Sequence, residues 1–234
     1  MSQTRELIVV MPIYNEAECI GAVLDDWSAA LSELNINFEI VALNDGSTDE
    51  TAKVLSAYEN DDRITVINKP NSGHGPTILQ GYRDAVERAD WVFQIDSDDE
   101  MKPRAFPNFW KRRDKYDAIF GVRVAREQDS ARRFLSAGSR ATIKFLYGRG
   151  VRDVNVPYRL LRASVLKPIV AAIPDETFAP NILISGVLGK RRRRVLNLPV
   201  LHENRVTGTG SLTNAKVWKV AARALGQTLR FRMP

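Results

Sequence analysis

The chain has 234 residues, of which 44% are hydrophobic and 26% charged, and it contains one cysteine. This composition is typical of globular proteins and excludes a disordered chain, a collagen-like fibre and a disulfide-rich scaffold. The length suits one domain, or one domain with a modest appendage. Cys19 has no possible partner within the chain, which fits a reducing compartment.

The net charge of +6 is distributed unevenly along the chain. Residues 1–100 carry 6 lysines and arginines against 20 aspartates and glutamates, a net −14. Residues 101–150 carry 13 against 4, and residues 151–234 carry 15 against 4. The acidic part can hold a divalent cation, whereas the basic part can contact phosphates, nucleic acid or an anionic membrane.

The first hundred residues alternate between short apolar runs and amphipathic stretches. This alternation predicts an α/β fold in which parallel strands are joined by right-handed crossovers. Ligands of such sheets bind beyond the carboxyl ends of the strands, so site residues are expected in the loops that follow them. The predicted strands are 7–11, 38–43, 63–67 and 91–95, and the predicted helices are 16–34, 49–58 and 77–86.

The second half is less regular, and it contains neither a repeat nor a linker rich in Gly, Pro or Ser. We therefore predict one domain over residues 1–211, followed by a basic amphipathic extension over 212–234. The predicted helices are 103–113, 132–147, 178–188 and 212–231, and the predicted strands are 118–122, 156–161 and 194–200.

A cluster of carboxylates directly follows the fourth predicted strand, in the segment Asp96-Ser97-Asp98-Asp99-Glu100. Like charges this close repel one another, so the crowding costs stability unless a cation neutralises it. Mg²⁺ and Mn²⁺ accept carboxylate oxygens and also bridge diphosphates. Asp96 and Asp98, with Glu100 as a third ligand, are therefore candidate metal ligands; an acidic surface turn is the alternative.

The loops after the other strands carry further candidates. Tyr14 can stack on a flat ring, and Asp45 can accept a hydrogen bond from a base N–H. Ser47 or Thr48 is expected to cap the following helix. The loop 68–76 has two glycines before a helix, which allow a ligand to approach the backbone closely, but it matches neither a Walker loop nor a dinucleotide fingerprint.

Three segments together resemble the family 2 inverting glycosyltransferases, which have the GT-A fold. They are Val-Met-Pro-Ile-Tyr-Asn-Glu at 10–16, Asn-Asp-Gly-Ser-Thr-Asp at 44–49 and Asp-Ser-Asp at 96–98. The resemblance implies a mostly parallel central sheet flanked by helices. It implies that Asp96 and Asp98 hold the metal on the diphosphate, and that Asp98 is catalytic. It also implies nucleotide contacts for Pro12, Tyr14, Glu16 and Asp45, with Lys69 nearby.

The later segments resemble the polyprenyl-phosphate sugar transferases, such as dolichyl-phosphate mannosyltransferase. Arg-Arg-Phe-Leu-Ser at 132–136 is similar to the acceptor-phosphate site of that group. The resemblance implies phosphate contacts for Arg123, Arg132, Arg133 and Ser136, with Arg133 also catalytic. The segment 202–211 is similar to a loop that closes on the diphosphate, which makes Arg205 a further catalytic candidate.

Asn181 stands near the position where family members that use hydroxyl acceptors have an acidic base. An amide cannot take a proton, and a hydroxyl nucleophile needs a base, whereas a phosphate nucleophile is already ionised. Asn181 therefore favours a phosphate acceptor. Asp175 or Glu176 is the base in the alternative reading, in which the acceptor is a hydroxyl.

The end of the chain is strongly basic, with six lysines and arginines and no acidic residue from position 204 onward. This pattern indicates an interfacial helix on an anionic membrane; a helix packed on the core or on a second subunit is the alternative. No apolar run reaches the roughly 18 residues of a transmembrane helix, and the N-terminus does not resemble a signal peptide. We therefore expect a cytoplasmic protein, peripheral on the membrane.

These features predict an enzyme that moves a sugar, with inversion, from a nucleoside-diphosphate sugar to a polyprenyl phosphate, using Mg²⁺ or Mn²⁺. The donor nucleotide is UDP or GDP. The first alternative is a transferase of the same fold that acts on a hydroxyl of a glycan or small molecule. Nucleic acid is not expected as a partner, because the acidic half would repel its backbone. A silent sugar-nucleotide binder is disfavoured by the intact carboxylate cluster.

Overall fold

The structure, a computed structural model, describes residues 4–125, 152–203 and 231. The predicted helix 132–147 and residues 212–230 of the predicted helix 212–231 lie outside the described residues, as do Arg132, Arg133, Ser136 and Arg205. The described strands are β1 (Arg5–Ile13), β2 (Phe38–Asp45), β3 (Ile64–Lys69), β4 (Ala89–Ile95), β5 (Ala118–Ala125), β6 (Tyr158–Arg162) and β7 (Val195–His202). The described helices are α1 (Ile20–Glu33), α2 (Thr51–Ser56), α3 (His74–Arg88), α4 (Phe106–Trp110), α5 (Ala163–Ala172) and α6 (Pro180–Lys190).

Within the described residues the strands form one sheet in the order β3-β2-β1-β4-β6-β5-β7. β1 pairs in parallel with β2 and β4, β2 pairs in parallel with β3, and β5 pairs in parallel with β7. Of these seven described strands, β6 alone runs antiparallel, between β4 and β5. The predicted mostly parallel sheet is confirmed, and its parallel strands present their carboxyl ends at one edge.

The central strands are buried along almost their whole length. β2 is buried at each of its positions, and β1 is buried from Leu7 to Ile13. Helices cover both faces of such strands, which explains why the sequence reads as continuous apolar runs rather than as an alternation. β3 lies at the sheet edge and is mostly half-buried or exposed.

An aromatic cluster anchors α1 and α4 to one face of the sheet. The Phe93 ring lies 5.2 Å from Trp27, 4.8 Å from Phe106 and 4.9 Å from Tyr158, measured between ring centroids. Tilted and edge-to-face pairs of this kind contribute roughly 0.5–1.5 kcal/mol each beyond the area they bury. α3 packs on the other face, where Gly81 leaves room for β1: a Cβ at Gly81 would lie 2.5 Å from Val10 Cγ1.

Several element boundaries differ from the sequence prediction. The first helix begins at Ile20 rather than at 16, because Asn15 adopts a left-handed backbone conformation with φ of 55° and residues 16–19 form turns. Pro103 to Lys115 form a short helix between two 3₁₀ turns instead of one continuous helix. α5 was not predicted, because Pro168 stands inside it and an internal proline argues against a helix.

No helix among residues 4–125 and 152–203 is both long enough and apolar enough to cross a membrane.

Candidate active site

An open cleft of about 460 Å³ lies at the carboxyl edge of β1, β2 and β4. Six predicted site residues, Pro12, Tyr14, Glu16, Asp45, Asp96 and Asp98, line it together, although they come from three separate loops. Lys69 and Glu100 lie next to lining residues without lining the cleft themselves. The lining residues are Pro12, Ile13, Tyr14, Glu16, Asp45, Asn71, Gly73, His74, Asp96, Ser97 and Asp98.

Hydrogen bonds hold the loop after β1 against the loop after β2. The Asn15 side-chain oxygen accepts the Thr48 N–H at 2.8 Å, and the Asn15 N–H donates to the Ser47 hydroxyl at 3.0 Å. The prediction that Ser47 or Thr48 caps a helix is wrong: both bond to Asn15, and Asp49 accepts the Thr51 N–H at 3.0 Å. The arrangement leaves Tyr14 48% exposed at the cleft.

The buried Asp45 side chain, at the end of β2, holds the loop that follows β3. Its carboxylate contacts the Lys69 ammonium and accepts the N–H groups of Ser72 at 2.8 Å and Gly73 at 2.9 Å. Burial alone would raise the pKa of Asp45, but the hydrogen bonds from Lys69, Ser72 and Thr77 and the charge of Lys69 together lower it. Asp45 therefore stays ionised while it shapes the cleft wall.

Gly46 permits the close approach of these loops. Its φ is +68°, and a Cβ there would lie 2.7 Å from the backbone nitrogen of Asn71. The Asn71 amide in turn donates to the Asp45 carbonyl at 2.8 Å. Lys69 also donates to the Ser72 hydroxyl at 2.7 Å and the Thr77 hydroxyl at 3.1 Å. The described contacts of Lys69 thus hold the loop, and its predicted contact with the nucleotide stays a prediction.

The acidic loop after β4 is held by polar contacts from several elements. The Asp96 Oδ1 accepts the Gln94 amide N–H at 2.9 Å and lies 3.0 Å from His74 Nε2. The Ser97 hydroxyl donates to the Pro12 carbonyl at 3.0 Å, which joins this loop to the end of β1. Asp99, with φ of 62°, pairs with Lys102 at 2.7 Å, which neutralises its charge.

Asp98 bears the strongest effect of the crowded charges. Burial, followed by the charges of Asp96 and Glu100, raises the pKa of Asp98 to about 6. Its Oδ1 accepts the Glu100 N–H at 3.2 Å. The side chain of Glu100 lies 2.7 Å from His202 Nε2, at the end of β7. An uncompensated carboxylate beside Asp96 has the chemistry that a hard divalent cation requires.

The two carboxylates Asp96 and Asp98 fit a divalent cation that takes its other ligands from a diphosphate and water, as Mg²⁺ commonly does. In the described part of the chain, no three side chains of His, Cys, Asp or Glu converge to hold an ion. Glu100 as a third ligand stays a prediction.

The acceptor side is described only in part. Arg123 makes a two-pronged ion pair with Asp153, at 2.8 and 3.1 Å, so its charge is partly neutralised. Neither Asp175 nor Glu176, the alternative bases, lines the cleft. Asp175 is largely exposed and contacts Arg83. Asn181 is buried inside a hydrogen-bonded chain instead of facing the cleft.

Sequence reasoning did not identify three polar residues of this region. His74 opens α3 and contacts Asp96. A Cβ at the adjacent Gly75 would lie 2.1 Å from the Phe178 carbonyl oxygen, so a glycine lets the start of α3 approach that backbone. Gln94 lies within an apolar strand, and no local pattern distinguishes it. His202 ends β7 and begins the segment 202–211, whose resemblance gives the histidine no role.

Residues 8–170 match the family model described as glycosyl transferase family 2. The chain belongs to this family. The GT-A fold that the sequence predicted is confirmed by the likeness of this chain to a solved structure, glucosyl-3-phosphoglycerate synthase from Mycobacterium tuberculosis in complex with Mn²⁺, uridine-diphosphate-glucose and phosphoglyceric acid. The two chains superpose with a TM-score of 0.67 at 18% identity, over 98% of this chain and 81% of the synthase.

Curated relatives of this glycosyl transferase family 2 chain are named undecaprenyl-phosphate 4-deoxy-4-formamido-L-arabinose transferase. The protein of Pseudomonas aeruginosa (strain LESB58) is 30% identical over 204 residues, which are 86% of this chain and 58% of the relative. The protein of Edwardsiella ictaluri (strain 93-146) is 28% identical over 204 residues, 86% of this chain and 61% of the relative. The chain therefore spans about three fifths of the length of these relatives.

Proposed function

We propose that this glycosyl transferase family 2 chain transfers a sugar, with inversion, from a nucleoside-diphosphate sugar to a polyprenyl phosphate. The observation that carries the proposal is the convergence of Tyr14, Asp45, Asp96 and Asp98 on one cleft at the carboxyl edge of the sheet. Because the lining residues run from Pro12 to Asp98, we assign residues 1–100 to the donor and residues 101–211 to the acceptor.

The donor half has the groups that a nucleotide requires. Tyr14 presents a half-exposed ring on which a base can stack, and ionised Asp45 can accept an N–H from the base edge. Pro12 and Glu16 complete the wall, with Lys69 behind Asp45. The M. tuberculosis synthase was crystallised with a uridine diphosphate sugar, which makes UDP-sugars the first donors to test, with GDP-sugars beside them.

Asp96 and Asp98 would hold Mg²⁺ or Mn²⁺, with Glu100 nearby. When bound, such a cation neutralises the negative charge that develops on the leaving diphosphate. Asp98 is proposed as a ligand of this cation because it lines the cleft beside Asp96, and because burial and the neighbouring charges of Asp96 and Glu100 raise its pKa in the absence of a counterion. Arg205, outside the described residues, is proposed to close on the same diphosphate.

A phosphate acceptor is supported by the residue at position 181. A phosphate oxygen attacks without losing a proton, so the chain needs no base there. The amide of Asn181 is not ionisable. The residue is also buried, with 3% of its surface exposed, and its side chain bonds to Gln94 and Tyr82, so it is not free to approach a substrate. The names of the curated relatives contain undecaprenyl phosphate, which is a polyprenyl phosphate.

The phosphate of the acceptor is assigned to Arg123, Arg132, Arg133 and Ser136, with Arg133 also contributing to catalysis. In this proposal the lipid phosphate competes with Asp153 for the exposed Arg123 guanidinium. The extension 212–234 is proposed to bind the anionic membrane surface that carries the acceptor, which would make the protein peripheral on the cytoplasmic side.

The proposal is tested by release of nucleoside diphosphate from a panel of UDP- and GDP-sugars, with Mn²⁺ or Mg²⁺, in the presence and absence of a polyprenyl phosphate in detergent. We expect release from at least one donor that depends on both the metal and the lipid phosphate. Asp98→Asn should abolish it, whereas Asp62→Asn, at an exposed position away from the cleft, should not. Metal-independent release, or release equal in both variants, would contradict the proposal.

A further inference from the structure

We propose that Asn181 is a positioning residue that orients the Asp96 carboxylate through Gln94, and that Tyr82 holds the other end of this buried chain of hydrogen bonds by donating to Asn181. The inference rests on the proposed function, because it assigns the chain of hydrogen bonds to the site where Asp96 holds the metal and the diphosphate.

The chain consists of three consecutive hydrogen bonds. The Tyr82 hydroxyl donates to Asn181 Oδ1 at 3.0 Å, and Asn181 Nδ2 donates to Gln94 Oε1 at 3.1 Å. Gln94 Nε2 then donates to Asp96 Oδ1 at 2.9 Å. These bonds join α3, α6 and β4 to the acidic loop, so they connect the proposed acceptor half with the proposed donor half of the molecule.

The direction of every bond follows from the charge at one end. An ionised Asp96 only accepts hydrogen bonds, so Gln94 must turn its NH₂ group towards Asp96 and its oxygen towards Asn181. Asn181 must then present its own NH₂ group to Gln94 and its oxygen to Tyr82. Tyr82 can donate because burial raises the pKa of its hydroxyl, which keeps its proton.

Burial makes this arrangement rigid. Tyr82 and Gln94 are completely buried, and Asn181 is 3% exposed, so water cannot replace a lost partner. A buried polar group without a partner is costly, and the chain satisfies each amide in only one of its two orientations. The geometry therefore holds the Asp96 oxygen in one place before any ligand binds.

The backbone of Asn181 is held independently by a buried arginine. The fully buried Arg159 guanidinium donates to the carbonyls of Asn181 at 3.1 Å, Val154 at 3.0 Å and Val156 at 2.9 Å. The first turn of α6 is thus fixed on β6, and the Asn181 side chain projects from a rigid support. A substitution that changes only the Asn181 side-chain amide is therefore expected to alter the hydrogen bonds between Tyr82 and Asp96 and to leave the backbone of α6 in place.

An ionised aspartate at position 181 would break this chain of hydrogen bonds, although it is nearly the same size as asparagine. Its carboxylate has no N–H for Gln94 Oε1, so Gln94 would turn its NH₂ group towards position 181 and its oxygen towards Asp96. Two oxygens would then face each other at the cleft, and a second negative charge would lie beneath Asp96. An ionised aspartate at position 181, which could serve as a base, is therefore incompatible with the hydrogen bonds that hold Asp96.

The test compares Asn181→Asp and Tyr82→Phe with Ser185→Ala, a control on the same helix. Ser185 is also buried and bonds to the Val154 carbonyl at 2.9 Å, but it does not take part in the chain to Asp96. Calorimetry measures the affinity for UDP with Mn²⁺ and without metal, and electron paramagnetic resonance measures Mn²⁺ binding by the protein alone. Thermal unfolding of each variant checks the fold.

Asn181→Asp should weaken the Mn²⁺-dependent affinity for UDP about tenfold, and Tyr82→Phe about threefold, while the metal-free affinity stays unchanged. Ser185→Ala should leave both affinities unchanged even where its melting temperature falls. If Asn181→Asp does not fold, Tyr82→Phe decides. Wild-type Mn²⁺-dependent affinity in the folded variants, or equal losses with and without metal, would overturn the inference. If the wild-type protein itself shows no Mn²⁺-dependent binding of UDP or GDP, the proposed function fails first and the inference with it.

Discussion

Asp45 and Lys69 are register partners at the ends of the neighbouring parallel strands β2 and β3, and their side chains form a buried ion pair beside the cleft. The side chain of Asp45 is 5% exposed and that of Lys69 is 12% exposed. The ends of two neighbouring strands thus bring opposite charges together beside the cleft, and the loop 70–73 folds around the pair.

Removing the cation of this pair should be costly. Lys69→Met leaves the Asp45 carboxylate buried without its counterion, and we expect a loss of about 3 kcal/mol in the free energy of unfolding. Urea denaturation measures it. Lys53→Met is the control, because Lys53 pairs with Glu50 on the surface with both side chains largely exposed, and its loss should stay below about 0.5 kcal/mol. Similar losses in the two variants would contradict the role assigned to the pair.

The pH dependence of Asp45 follows from the direction of its pKa shift. Its pKa is lower in the folded protein than in the unfolded chain, so the ionised group stabilises the fold above the unfolded value of about 3.9. This contribution is lost as the pH falls through the lower, folded pKa. The difference in unfolding free energy between wild type and Asp45→Asn should therefore be constant from neutral pH to about 5 and shrink below about 4. A difference that grows on acidification would contradict this assignment.

The Asp98 carboxylate is expected to lower the stability of the metal-free protein and to be required for the binding of Mn²⁺ with UDP. Its pKa is raised to about 6 by burial and by the charges of Asp96 and Glu100, so its ionised form destabilises the metal-free fold at neutral pH. Asp98→Asn should therefore raise the metal-free unfolding free energy by about 1 kcal/mol. The same change should abolish the stabilisation of the protein by Mn²⁺ with UDP. Thermal unfolding with and without these ligands measures both effects; a variant that is less stable without metal would contradict the account.

Tyr14 offers a test of the base pocket that is independent of the metal. Because its ring is half-exposed at the cleft, Tyr14→Ala should change the melting temperature little. Loss of a stacking surface should weaken nucleotide affinity about tenfold, whereas Tyr14→Phe keeps the ring and should retain the affinity. Calorimetry with UDP and Mn²⁺ distinguishes the two variants. Equal affinity of Tyr14→Ala and wild type would place the base elsewhere.

The sheet and the position of the cleft could be predicted because both depend on local patterns. The buried strands read as continuous apolar runs, and parallel strands bring the residues that follow them to one edge. This is why the sequence alone indicates Tyr14, Asp45, Asp96 and Asp98, and why these residues meet at one cleft.

The contacts that organise the cleft could not be predicted, because they join residues far apart in the chain. His74 contacts Asp96 across 22 positions, and Asn181 contacts Gln94 across 87. Neither distance leaves a periodic signal in the sequence. The same reason applies to the antiparallel β6, whose partners β4 and β5 are chosen by the tertiary fold and not by its own five residues.

The choice between a phosphate and a hydroxyl nucleophile is the central claim, and a matched pair of acceptors tests it most directly. Transfer of labelled sugar is measured to a polyprenyl phosphate and to the corresponding polyprenol, which differ only in the phosphate, using the donor that the nucleotide-sugar panel selects. We predict metal-dependent transfer to the polyprenyl phosphate and none to the polyprenol, because Asn181 is buried and cannot take a proton from a hydroxyl. Transfer to the polyprenol or to a soluble hydroxyl compound, without transfer to the lipid phosphate, would contradict the account.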